Sequence, residues 1–401
     1  MHKTVFFSYL AAPPVRCGLA MLLLAPQLQG CKSCHETSIV ATDEVDSDEP
    51  NTDFDGDWGS WLSMATMSDG SPAVAFYDKT SGAAGFATGD LSTDPVTWTY
   101  EEPDGYVNDE GLDVGNRGKY MAMAVASDGT VWLAYQDVLN EVLRFATRDP
   151  SSGEWTNEMA DMGAGSSPSA GFFSSIALDS SDSPVIAHYD KATGQLRVAH
   201  YSGGAFTSEV VDEGEPFEPD TGAAEAADAD VGQYASLVIE NDIEYIGYYD
   251  AANGDLKLAI GTAGDYEIET VYSEGNVGAW PDILIDGGSL TIAFQDVENQ
   301  NLLLATGTSG NFSTTIVDDA EYVGADSDLF MNGNALSIAY FDGQNNDMLL
   351  ATKSGSDWTI DTVVGSEGAL GFHNETISIG GVVYAGCYDY TERTLWFSAL
   401  E

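Results

Sequence analysis

Positive charge is what this sequence has least of. Its 401 residues carry 13 Lys and Arg against 65 Asp and Glu. The first thirty residues contain no acid and two of the bases, Lys3 and Arg16, so the rest holds 11 bases (13 less 2) against 65 acids. A surface that acidic repels phosphate backbones and anionic lipid headgroups, which excludes nucleic acid as a partner. Two readings of the acidity stay open: solubility, as in a saline habitat, and binding of divalent cations such as calcium on carboxylate-rich loops. Long apolar runs are missing too. Leu19–Ala25 is too short to anchor a folded domain across a bilayer, but it has the length of a signal h-region. No other stretch is apolar enough for a membrane helix, and helix-period patterns are absent beyond the signal.

Cysteine is scarce, with four residues, but two of them form the string Cys31-Lys32-Ser33-Cys34-His35. C-x-x-C-H can attach haem. Covalent haem needs apolar walls and a second axial ligand, whereas residues 43–57 are Asp-rich and polar and a strand follows Cys34 closely. Leu28-Gln29-Gly30-Cys31 resembles the lipid-attachment signal of bacterial lipoproteins, with Gln29 where a small residue is usual. That resemblance implies a signal peptide over residues 1–30 and a lipidated Cys31. Residues 31–36 are then anchor and tether, and Lys32 implies outer-membrane sorting. Zinc is not expected, because His188, His200 and His373 are scattered along the chain without ligand spacing, His188 and His200 in one repeat and His373 in another.

What the sequence does have is repetition. PAVAFYD, TVWLAYQD, SPVIAHYD, IEYIGYYD, LTIAFQD, LSIAYFD and VVYAGCYD end at Asp78, Asp137, Asp190, Asp250, Asp296, Asp342 and Asp389. Each is β-branched, aromatic and bounded by turn residues, the signature of a strand. Three residues before each Asp stands Ala or Gly, which suggests close approach of a neighbour. Some four turn residues and another strand follow. Eighteen or nineteen residues upstream, an earlier strand opens with Gly-x-aromatic at Trp61, Tyr120, Phe173, Tyr234 and Trp280, with Asp326 and His373 at the same register. A fourth strand starts at Trp155, Phe206, Phe312 or Trp358. The expected fold is therefore all-β: seven four-stranded antiparallel blades, a to d, in a propeller spanning 37–401 with an acidic loop at 43–57.

The last repeat stops after its strand c, so the ring must borrow a strand d from the other terminus. Residues 37–42, Thr-Ser-Ile-Val-Ala-Thr, resemble strands d elsewhere. Cys387 falls on strand b and Cys34 beside strand d, with strand c between, so no disulfide is expected between them.

The repeat resembles the sialidase-like, BNR-type superfamily of secreted bacterial propellers. The resemblance lies in strand rhythm over residues 37–401. Ser127-Asp-Gly-Thr-Val-Trp132 has the letters of the family's Asp-box at the wrong spacing. A sialidase also converges three arginines on a carboxylate. Here Arg144 and Arg197 occupy equivalent strand-c positions, Arg148 lies at a far end, and Arg117 and Arg393 alone fall on one rim. The expected function is non-catalytic: a monomeric, envelope-anchored propeller binding an extracellular carbohydrate or protein, without a cofactor. The alternative is a secreted sialidase-like glycoside hydrolase. The expected ligand rim is Trp61, Tyr120, Phe173, Tyr234, Trp280, His373, Arg117 and Arg393, with Asp326 breaking the aromatic ring. The seven repeated Asp are expected to bond their own turns. The aromatics have a structural alternative, packing between blades.

Overall fold

Strands separated by tight polar turns can pair only with their sequence neighbours, and each repeat does so. In the computed structural model, residues 37–38, 57–105, 115–215, 228–364 and 368–400 are described. They form seven four-stranded antiparallel sheets. Strands a are Trp58–Thr66, Arg117–Val125, Phe172–Leu178, Val231–Glu240, Val277–Asp286, Val323–Asn332 and Phe372–Ile379. Each packs against strand a of the next blade, and the last packs against the first. The molecule is a seven-bladed β-propeller. Residues 1–36, with the expected signal segment, Cys31 and Cys34, and residues 39–56 lie outside the described residues.

The seven Asp end strands b, as the repeat predicts. Each accepts a backbone N–H of its own b–c turn, at 2.8–3.0 Å, as in Thr80 to Asp78 and Asn299 to Asp296. The turn ends on a residue with positive φ: Gly82, Glu141, Gly194, Gly254, Gln300, Asn346 or Arg393. Its carbonyl accepts an N–H at the start of the next blade at 2.8–3.0 Å, and Trp58 N–H to the Arg393 carbonyl closes the circle. The penultimate residue of strand b makes a second link. Tyr77 donates to Asn116, Tyr189 to Asp230, Tyr249 to Asn276 and Tyr388 to Asp57. Gln136 and Gln295 reach the carbonyls of Ala170 and Val323, and Phe341 stacks on Phe372.

A third link explains where the scarce bases go. Strand d ends in Asp104, Asp161, Asp212 and Asp318 in blades one, two, three and five. Each carboxylate faces the next blade, with Asp104, Asp161 and Asp318 buried there and Asp212 partly buried. Asp104 accepts from Tyr135 at 2.6 Å and Arg144 at 2.7 Å. Asp161 accepts from Arg197 at 2.7 Å and faces His188 Nε2 at 3.1 Å. Asp212 accepts from Tyr248 and Lys257, and Asp318 from Tyr340. Burial works to raise the Asp161 carboxyl, but His188 and Arg197 overcome it and hold it well below the usual range. At the same register blades four and six carry Tyr272 and Val364. Those junctions are apolar, Tyr272 lying 6.0 Å from Phe294 and Val364 clustering with Cys387 and Trp396.

The seventh blade takes its fourth strand from the other end of the chain. Thr37 pairs with Phe397 and Ser38 with Trp396, antiparallel. A chain beginning at Asp55 lacks this strand and exposes the edge of Thr394–Ala399. It is expected to melt earlier and aggregate faster than a chain beginning at Ser33. Equal melting temperature and monomer content in the two would overturn the closure.

Candidate functional site

Strand a does not pair smoothly with strand b. In blade one Ser60 pairs with Tyr77 and Ser63 with Ala75, three steps against two. The same extra residue recurs in the other blades. Such bulges re-aim a side chain. The bulged residue is Trp61, Tyr120, Phe173, Tyr234, Trp280, Asp326 or His373, and all seven have φ between +48° and +56°. Bulky side chains rarely adopt this conformation, and a closed ring of seven such residues is held by its surroundings rather than by local preference. The Gly two positions earlier fits against strand c of the preceding blade. A Cβ on Gly278 would come 2.6 Å from the Leu256 Cα.

These seven side chains are half-buried and line the axial mouth, a cavity of about 500 Å³. Ring centroids are 5.3 Å apart for His373 and Trp61, and 5.5 Å for Trp61 and Tyr120. They are 4.9 Å for Tyr120 and Phe173, 4.4 Å for Phe173 and Tyr234, and 4.5 Å for Tyr234 and Trp280. Asp326 completes the circle, its Oδ2 accepting the His373 N–H at 3.2 Å. Burial lowers the His373 pKa against the pull of Asp326, so the imidazole is neutral at pH 7. Burial also raises the phenols of Tyr120 and Tyr234.

Two residues beyond each ring residue, the strand period returns a side chain to the axis. These positions are Ser63, Ala122, Ser175, Ser236, Asp282, Asp328 and Glu375, lining a second compartment of about 310 Å³. They form a belt. Ser63 accepts the N–H of Met123, Ser175 that of Leu237, Ser236 that of Ile283 and Asp282 that of Leu329. Asp328 accepts from Thr376, and Glu375 from the Met64 N–H. Ala122 is the one position without an acceptor. Ser suffices for this bond in three blades, so carboxylates in three consecutive blades are more than the belt requires. Burial pushes Asp282 up to about 6. Burial and then the nearby Asp282 charge push Asp328 up to about 8. Glu375 is raised well above its ordinary value by burial and both neighbours. Sequence reasoning missed this layer, although counting two residues on from each ring position finds it.

Arg117 and Arg393 are not in the axial mouth. Arg117 bonds Asp104 at 2.6 Å and Asp137 at 3.2 Å, between blades one and two. Arg393 is the left-handed turn residue equivalent to Gly82, and its side chain borders a separate hollow with Asp57, Lys79 and Tyr390. Among the described residues, no group of three or more His, Cys, Asp or Glu is arranged to hold a metal ion.

No protein-family model matches the chain, and no curated protein sequence matches it. Solved structures match its fold. The polysaccharide lyase Uly1 superposes with a TM-score of 0.53 at 10% identity, over 86% of this chain and 90% of that one. A prolyl endopeptidase gives 0.51 at 11% identity over 86% and 51%. The Hadza microbial sialidase Hz136 gives 0.48 at 10% over 86% and 66%. These likenesses are of architecture: the chain is a seven-bladed β-propeller.

Proposed function

We propose that this is a non-catalytic binding propeller whose axial mouth receives a carbohydrate. The observation that carries the reading is the arc of contacting aromatic rings, from His373 through Trp61 to Trp280, held by backbone bulges with their side chains at a cavity. Flat aromatic faces suit sugar rings, and Asp326 offers a hydroxyl acceptor. The hydrolase alternative requires converging arginines. Arg117 is paired with Asp104 and Asp137, and Arg393 borders a separate hollow, which speaks against it. We further propose export and an envelope anchor through Cys31, on the strength of the N-terminal sequence.

A glycan array probed with the soluble propeller tests the reading, followed by Trp61→Ala and Trp280→Ala. Each substitution is expected to weaken binding by about 1 kcal/mol, roughly five- to tenfold. The variants should stay folded, because these side chains face a cavity. A stability loss of about 3–5 kcal/mol in both, the cost of deleting a core aromatic, would make the ring part of the core and end the proposal.

A further inference from the structure

The charge around the mouth says more about the ligand than the aromatic faces do. Neither compartment is lined by Lys or Arg. His373 contributes no positive charge, as described. Four carboxyl groups face the axis: Asp326 at the ring and Asp282, Asp328 and Glu375 beneath it. The two compartments adjoin, sharing Met121, Ser174, Pro281, Asn374 and Glu375 in their walls.

Two further observations are independent of the acids. Asn374 is 7% exposed and lines both compartments. Its Nδ2 donates to the Asp326 carbonyl at 3.2 Å, while its Oδ1 has no hydrogen-bond partner. A buried amide oxygen left unpaired is costly, and this one belongs to a residue in the wall shared by both compartments. The ring faces also attract cations. Lys119 Nζ already lies 5.1 Å from the Trp61 ring centroid and 5.9 Å from that of Tyr77. The carboxylates are spaced round a channel rather than gathered at metal distance, which suits a polyatomic cation.

We propose that the axial cavity binds a protonated amine carried on a sugar, an amino sugar rather than a neutral or acidic one. The sugar ring stacks on Trp61, Tyr234 or Trp280, and the ammonium group points down the axis toward Asn374, Asp328 and Glu375. A carboxylate-bearing sugar meets four carboxyl groups and no Lys or Arg in the lining. This inference rests on the carbohydrate reading above and deepens it.

Titration calorimetry near pH 7 on the soluble propeller tests it with three probes. These are a glucosamine tetramer, its fully N-acetylated counterpart and tetramethylammonium. The glucosamine tetramer is expected to bind at least about tenfold more tightly than the acetylated one, which differs only in charge and acetyl groups. Asp328→Asn should remove most of that difference, and Trp280→Ala should weaken both sugars together. Equal or tighter binding of the acetylated tetramer overturns the amine inference and leaves the carbohydrate reading standing. Binding of tetramethylammonium with neither sugar keeps the cation site and overturns the carbohydrate reading. Binding of none of the three overturns both. The comparison of probes on the unaltered protein decides the question even if a variant fails to fold.

Discussion

Replacing Arg197 by Leu is expected to destabilise the propeller by about 3–5 kcal/mol, the usual cost of removing one partner of a buried ion pair. Arg197 is 6% exposed, Asp161 8% and His188 0%. Without the guanidinium, Asp161 keeps only His188 as a charge partner, inside a largely buried junction. The same position is Leu303 at the junction of blades four and five, where the facing residues are Tyr272 and Phe294. Apolar chemistry therefore serves equally well there. The triple change Asp161→Tyr, His188→Phe and Arg197→Leu copies that junction and should recover most of the loss. Urea unfolding of the single and triple variants measures both. A single variant as stable as the parent, or a triple variant no better than the single, contradicts the account.

Asp328→Asn should instead stabilise the molecule, and only above acid pH. A carboxyl whose folded pKa is raised favours the folded state while protonated. That contribution is complete below the unfolded value, near 3.8, and is lost as pH rises through the folded value of about 8. Asn never incurs the loss. The variant should match the parent near pH 4 and exceed it by roughly 2–4 kcal/mol near pH 9, a shift of several units allowing for water in the channel. Melting temperatures across that range provide the check. A constant difference at all pH values would show that Asp328 is already ionised in the fold. Asp282, pushed up to about 6, should behave alike over a narrower window.

What the sequence disclosed depended on repetition. The seven Asp at strand-b ends, the Ala or Gly three residues before them and the Gly-x-aromatic register recur at near-constant spacing, so their places in the fold could be read from one chain. The closure by Thr37 and Ser38 followed from counting strands. Left-handed φ at Trp61 or Trp280 could not be read, because nothing local favours it. It follows from the bulge, which depends on pairing with strand b. The junction clamps were harder still. Arg144 and Arg197 were legible as equivalent positions, but their partners Asp104 and Asp161 lie 40 and 36 residues away on another blade. The signal was present as correlated residue types: where strand b carries Tyr or His two residues before its Asp, blades two, three and four put Arg or Lys on strand c. Arg393 holds the left-handed turn position that Gly82 holds in blade one and lies away from the axial mouth, which its place in the sequence does not disclose.

The junction chemistry divides the circle into arcs that respond to the solvent in opposite senses. Blades one to four are fastened to one another by carboxylates holding Arg144, Arg197 and Lys257, and ionic contacts of that kind fail in acid. The junctions of blades four to five and six to seven rest on apolar contact, which weakens on cooling because the hydrophobic effect fades at low temperature. Acid and cold should therefore open the same ring at different seams.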